Sequence, residues 1–340
     1  MKTEQSKRTI KIIAYLAIIM MVPFFVASCE KEEEPDPVDL SELETLVTTA
    51  EDYIATAQEG NVPGDYVRGS LADLEQAVDE AKLVVDDPPE SQEEIADAVT
   101  VLEDAIYAFE AMEIEDVALQ FGLTDSTIAV ENSAGSAESF NLSEFTFETW
   151  VIYYDKPGFF GQIVSTEFYE DGLRGWNLRV GDNDALDFTI ADGNESRLQP
   201  LEGATVPRNT WTHVACTFNG EYMRSYINGQ MVGEVEASDR DSIFVTSTLE
   251  NAQPLTFGNS AGFAQPERRL IGRLFDIRIW DVARSQAEIQ ADKDYILSGD
   301  QENLIAYWPF ARNTAETTIA DATSSFNLEL KNGTVTSTRE

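Results

Sequence analysis

Apolar residues recur every three or four positions from Leu40 to Met112, and at every second position over much of the chain beyond. The first period is that of an α-helix, the second that of a strand with one buried face. Three helices are predicted in the first stretch. One carries Leu43, Leu46, Val47, Ala50, Ile54 and Ala57, opens at Ser41 with Glu44 three residues on, and stops at Gly60-Asn61-Val62-Pro63-Gly64. A second runs from Val67 through Leu71, Leu74, Val78 and Ala81 to Val85 and ends at Asp86-Asp87-Pro88-Pro89. The third opens at Ser91 with Glu94 and presents Ile95, Ala98, Val99, Leu102, Ala105, Ile106 and Phe109. Ser and Glu at that spacing cap a helix start by exchanging side-chain and backbone hydrogen bonds. The short breaks favour antiparallel neighbours, hence a small three-helix bundle.

After Met112 the elements change. Phe145, Phe147, Thr149, Val151 and Tyr153 alternate with Thr146, Glu148, Trp150, Ile152 and Tyr154. Trp176, Leu178 and Val180 lead through Gly181-Asp182-Asn183-Asp184 to Leu186, Phe188 and Ile190. Tyr222–Ile227 and Gln230–Val235 flank Asn228-Gly229, which predicts a two-residue hairpin because both turn residues need positive φ. Further strands are expected at Leu255–Phe257, Arg273–Trp280 and Leu304–Phe310, with one capped helix starting at Ser285 with Glu288. Many short strands with regular turns argue for an all-β antiparallel sandwich of roughly 220 residues.

An apolar run from Ile12 to Val26 precedes both regions, broken by Pro23 and preceded by Lys2, Lys7, Arg8 and Lys11. It is short for a membrane span, which needs about 20 apolar residues. With Val26-Ala27-Ser28-Cys29 it resembles a bacterial lipoprotein signal. The resemblance implies that residues 1–28 are removed, that Cys29 carries lipid, and that the protein contacts a membrane through that anchor. Residues 29–39 then read as an acidic tether, and Lys31-Glu32-Glu33 resembles the export signal of lipoproteins displayed at the Gram-negative outer membrane.

The formal net charge is −39; losing four basic residues and one acidic residue with the signal takes it to −42. Such a chain repels nucleic acid, so DNA and RNA are excluded as partners. Cys216 is the only other cysteine and, with Cys29 acylated, has no disulfide partner. His213 is the sole histidine, which removes most nucleophilic triads and multi-histidine metal sites.

The ordered pieces resemble a known family. Trp211-Thr212-His213-Val214-Ala215-Cys216-Thr217-Phe218 with Tyr226-Ile227-Asn228-Gly229 after it is similar to the core of LamG-like domains in the concanavalin A-like lectin/glucanase group. Phe145–Val151, Phe257-Gly258, Gly272–Trp280, Ser285–Ile289 and Leu304–Phe310 with Asp321 agree in order. The resemblance implies a jelly-roll sandwich over 116–340. Most matched residues are packing and turn residues, Trp150, Trp211 and Trp280 among them. The helical segment 40–115 resembles FIVAR-type modules of bacterial surface proteins and is read as a spacer.

Sugar recognition needs an aromatic face for the ring's C–H groups and polar side chains for its hydroxyls. The loops 153–160 and 168–176 hold that mixture, so Tyr154, Phe160, Arg174 and Trp176 are the candidate glycan contacts. Calcium serves some LamG-type domains, and Asp182, Asp184, Asp192 and Asn194 are its candidate ligands, although neither acidic turn makes a complete calcium loop. Glucanases share this fold, yet Glu113-Ile114-Glu115-Asp116 does not match the family's catalytic pattern and no catalytic carboxylate set is read. The expectation is a non-catalytic glycan-binding or adhesion lipoprotein. A glycoside hydrolase or lyase, or a protein-binding structural module, is the alternative.

Overall fold

Helical and strand periodicities are both realised in the computed structural model. It describes residues 38–122, 129–131, 137–140, 142–169, 173–192, 196–199, 204–237, 254–261, 266–310, 318–331 and 336–337. The signal segment, Cys29 and most of the tether lie outside the described residues, as does Asn194. Asp39–Glu340 forms one compact unit.

Three helices come first: α1 (Ser41–Thr56), α2 (Ser70–Asp86) and α3 (Gln92–Glu110). Their apolar stripes meet in a shared core of Leu43, Val47, Ala50, Leu74, Val78, Val99, Leu102, Ile106 and Phe109. Tyr66 stacks on Phe109 at 4.2 Å and closes one end. Ser41 does not cap α1; Asp39 accepts from the Ser41 amide and hydroxyl instead, at 3.0 and 2.7 Å. Ser91 caps α3 through the Glu93 amide and not the expected Glu94, and Val67 precedes α2 because Gly69, with φ +94°, starts that helix.

The strands in chain order are Ala118–Phe121 (β1), Ala129–Glu131 (β2), Phe145–Asp155 (β3), Gly161–Ser165 (β4), Phe168–Tyr169 (β5), Leu173–Val180 (β6), Leu186–Asp192 (β7) and Ser196–Gln199 (β8). Next come Thr212–Phe218 (β9), Tyr222–Ile227 (β10), Gln230–Glu236 (β11), Thr256–Phe257 (β12), Ile271–Trp280 (β13), Leu304–Trp308 (β14), Thr318–Ile319 (β15), Leu328–Lys331 (β16) and Thr336–Ser337 (β17). One sheet runs β11-β10-β9-β3-β13-β1-β17, with β14 also on β13. The other runs β15-β16-β2-β12-β4-β6-β7-β8, with β5 on β6. The strand pairings among the described residues are antiparallel, and the two sheets form a sandwich. Asn228 and Gly229 adopt φ of +50° and +73°, as the hairpin between β10 and β11 demands.

Alternation along each strand sends one set of side chains between the sheets. Phe145, Phe147, Val151 and Tyr153 of β3 meet Trp176, Leu178, Val180, Phe188 and Ile190 from β6 and β7. Phe145 and Trp176 lie 4.7 Å apart, and Phe145 meets Phe188 edge-on at 6.0 Å. Each such side chain contributes about 1.5–3 kcal/mol by leaving water. Cys216 is buried in this core, and burial pushes its thiol well up.

On the other side of β3, between Thr146 and Trp150, one alternate position holds a charge. Glu148 is fully buried and accepts from the Trp280 indole at 2.7 Å and from Arg284 at 2.8 Å, while His213 Nε2 stands 3.4 Å away. Arg278 grips Asp276 through two bonds of 2.9 and 2.6 Å and donates to the carbonyls of Asp292 and Tyr295. A bulge in β13, with Asp276 at φ +55°, brings these two side chains together. Arg284 continues to Asp292, which also pairs with Arg68 before α2. Asp292 ends the short helix α4 (Gln286–Asp292), whose Ser285–Glu288 capping box forms as expected. The helical segment is therefore fastened to the sandwich. Ile296 donates to Gly60 at 2.7 Å, and Arg68 donates back to Ile296 at 2.9 Å.

Burial opposes the Glu148 charge, but His213, Arg278 and Arg284 outweigh it and hold the carboxyl at about 2, against 4.5 ordinarily. A lowered native pKa stabilises the fold above the ordinary value, and the contribution is lost as pH falls through the native one. Glu148→Gln should cost about 3 kcal/mol at neutral pH in urea unfolding. The gap to the unsubstituted protein should close as pH drops from 4.5 towards 2. A pH-independent gap would contradict the assignment.

Candidate functional site

The nine-stranded sheet also has an outer face, and its rows are polar. Register pairs Thr256 with Ser165, Ser165 with Asn177 and Asn177 with Thr189 across β12, β4, β6 and β7. The adjacent outer row pairs Gln162 with Arg179 and Arg179 with Asp187. Neighbouring positions along the same strands, Trp176, Leu178, Phe188 and Ile190, point into the core, which fixes these polar side chains on the opposite side. A bulge after Gln162 turns both Ile163 and Val164 towards the core and keeps Gln162 and Ser165 outward.

These side chains are all less than a tenth exposed. Buried polar atoms in folded proteins are nearly always hydrogen-bonded, because each unmet group costs about 1–3 kcal/mol. Here both amide atoms of Gln162, both of Asn177, the Thr189 hydroxyl, Arg179 Nε and Glu167 Oε1 have no hydrogen-bond partner among the described residues. Arg179 and Asp187 form an ion pair at 3.7 Å, beyond hydrogen-bond length. Gly181 makes room for that carboxylate: a Cβ there would fall 2.0 Å from Asp187 Oδ2. Arg268 lies 3.9 Å from Glu167 at the edge of the cluster. Burial pushes the Glu167 carboxyl up against the pull of Arg179 and Arg268; Asn177, near enough to lower it further, makes no aligned bond to it. Burial raises Asp187 as well, with Arg179 acting the other way.

Phe160 joins this cluster. Its half-buried ring has two guanidinium groups close by, Arg179 at 3.8 Å and Arg268 at 5.3 Å from the ring centre. Phe159 beside it is 74% exposed and marks the open rim. Of the four expected glycan contacts, Phe160 is the one brought to the polar face. Tyr154 sits near the end of β3, its ring 5.9 Å from the Arg273 guanidinium. Arg174 is placed by its backbone alone, opposite Asp192 on β7. Trp176 is corrected. It is 3% exposed, packed in the core, and its indole N–H donates to the Phe140 carbonyl at 3.1 Å, so it offers no face to a ligand.

The expected calcium ligands are also rearranged. Asp184 is taken by two cations and a phenol: Arg208 at 2.7 Å, Lys156 at 2.8 Å and Tyr153 at 2.9 Å. The hydrogen bond from Arg208, aided by Lys156, holds its carboxyl well below the usual range. A carboxylate so neutralised is a poor cation ligand. Asp182 is exposed in the turn, and Asp192 closes β7. Among the described residues no group of three or more His, Cys, Asp or Glu is arranged to hold a metal.

Sequence reading misses Gln162, Asn177, Arg179, Asp187 and Thr189. Polar residues alternating with core residues look like an ordinary wet sheet face, and only the pairing of three strands reveals that they are buried together. His213 has an acidic neighbour in space, Glu148, but both are closed off beneath α4 and serve the packing.

Comparison with known proteins agrees with this geometry. Residues 125–290 match the Laminin_G_3 family model, described as the concanavalin A-like lectin/glucanases superfamily. The crystal structure of a Bacteroides ovatus protein, named as a proposed carbohydrate-binding protein, is similar with a TM-score of 0.51 at 21% identity, over 66% of this chain and 60% of that one. At that identity the likeness is one of fold. A SAP-like pentraxin from Limulus polyphemus gives a TM-score of 0.43 at 11% identity, over 65% of this chain and 94% of its own. The surface-layer 125 kDa protein of Lysinibacillus sphaericus is 32% identical over 108 residues, which is 30% of this chain and 9% of that protein. The chain thus spans less than a tenth of that curated relative's length. The family match over residues 125–290 and the two antiparallel sheets agree on a concanavalin A-like fold.

Proposed function

We propose that this protein is a lipid-anchored module of the outer membrane, displayed at the cell surface, that binds glycans without cleaving them. The observation that carries the reading is the buried polar face of the nine-stranded sheet. Amide, hydroxyl, guanidinium and carboxylate groups converge there with unmet hydrogen bonds, beside the Phe160 ring. Sugar hydroxyls both donate and accept, and match such a mixed set. A ligand would enter at the Phe159–Phe160–Arg268 rim. Surface display rests on the Cys29 signal, and the stretch shared with a surface-layer protein is in keeping with it.

One observation favours a second reading. Glu167 and Asp187, both raised by burial, share the cluster, and a carboxyl raised by burial is what a glycosidase uses as general acid. Release of reducing ends from a polysaccharide panel, lost in Glu167→Gln, would establish hydrolysis in place of binding.

Three outcomes are expected. On a glycan array the protein should retain at least one plant, host or microbial glycan, and Phe160→Ala should weaken that binding about tenfold; no binding with or without calcium would overturn the proposal. Thr189→Val, which removes a hydroxyl with no partner, should raise stability to urea by about 1 kcal/mol and lower glycan affinity, the exchange of stability for function expected of a ligand site. Cells fed labelled palmitate should label the protein, and Cys29→Ser should abolish the label.

A further inference from the structure

A recess lies on the outer face of the eight-stranded sheet. Between that face and the loop joining α1 to α2 lies a cavity of about 500 Å³, within the size range of small-molecule sites. Three aromatic rings wall it on the sheet side. Trp150 and Phe275, directly opposite one another on β3 and β13, run nearly parallel with centres 6.0 Å apart. Trp211, just before β9, meets Phe275 at 83° and 5.0 Å, so the rings form a corner. Asn61, Val62 and Pro63 stand across from them, with Asp116 completing the lining.

The described residues that line this corner present negative charge alone. Aromatic faces are negative, Asp116 is the one charged side chain among the described lining residues, and the chain as a whole carries −39. Trp150 already attracts a cation from outside the cavity, with Lys293 Nζ 5.9 Å from its ring centre. Apolar walls cannot replace the water shell of a primary ammonium, but they suit an alkylated nitrogen whose charge is spread over methyl groups. A sugar would need several hydroxyl partners. Only Asn61 and Asp116 present polar side chains here, and the Asn61 amide already donates to the Lys293 carbonyl at 3.2 Å.

We propose that this cavity binds an organic cation of the quaternary-ammonium class, its methyl groups against the Trp150–Trp211–Phe275 corner and its charge facing Asp116. The site lies on the other sheet from the polar face and does not rest on glycan binding.

The test is a pair of titrations on the intact protein, read by tryptophan fluorescence and calorimetry. Choline is one probe, and 3,3-dimethylbutan-1-ol, its uncharged carbon isostere, the other. Choline should bind saturably and about tenfold more tightly than the isostere. Asp116→Asn should weaken choline by about fivefold and leave the isostere unchanged. Trp211→Leu should remove choline binding; should that variant not fold, the Asp116→Asn titrations still decide. Equal affinity for the two probes, no saturable choline binding, or saturation by a methyl glycoside but not by choline would each overturn the proposal.

Discussion

Glu148 is a fully buried carboxylate on a strand position that alternation would hand to solvent. Its retention there depends on the Trp280 indole, Arg284 and the nearby Arg278, and those groups in turn bind Asp276, Asp292 and the backbone after α4. Removing one member would leave charges buried and unpaired, which costs about 3–5 kcal/mol. The cluster therefore does more than hold a helix. Through Asp292 and Arg68 it reaches the α1–α2 loop and fixes the helical segment against the sandwich. The helices are thus not a free stalk. The loop joining α1 to α2 stands over the ring corner of Trp150, Trp211 and Phe275.

Both sheets keep buried polar atoms without a partner among the described residues: Gln120, Glu148, His213 and Thr217 hold them on the eight-stranded sheet, and Gln162, Asn177, Thr189 and Glu167 on or beside the nine-stranded one. On the nine-stranded sheet the strand register gathers Gln162, Asn177 and Thr189 into one cluster across β4, β6 and β7. A face meant only for packing would carry apolar residues at such positions, at a gain in stability. Retaining unmet groups is intelligible when a ligand supplies the missing bonds, and Phe160, near Arg179 and Arg268, adds an aromatic side chain to that face.

Much of the fold is legible in the chain. The change of period after Met112, the Asn228-Gly229 hairpin and the Ser285–Glu288 cap depend on residues close in sequence, and each appears where its local physics puts it. The site is less legible. Trp176 reads as a loop aromatic because Gly175 precedes it, yet Gly175, at φ +92°, only lets the strand turn the indole into the core. Asp184 looks like a calcium ligand, but its partners Lys156 and Arg208 lie 28 and 24 residues away. The polar rows of β4, β6 and β7 depend on cross-strand register, which no local pattern specifies. Phe160 is visible from sequence because an aromatic in a Gly/Pro loop carries a local signal.

Whether the polar face of the nine-stranded sheet takes the ligand is decided by the position of a bound oligosaccharide in a crystal of the protein. Sugar hydroxyls are expected within hydrogen-bond distance of Gln162, Asn177 and Thr189, with a ring against Phe160. Sugar bound elsewhere, with ordered water alone meeting those three side chains, would contradict that placement.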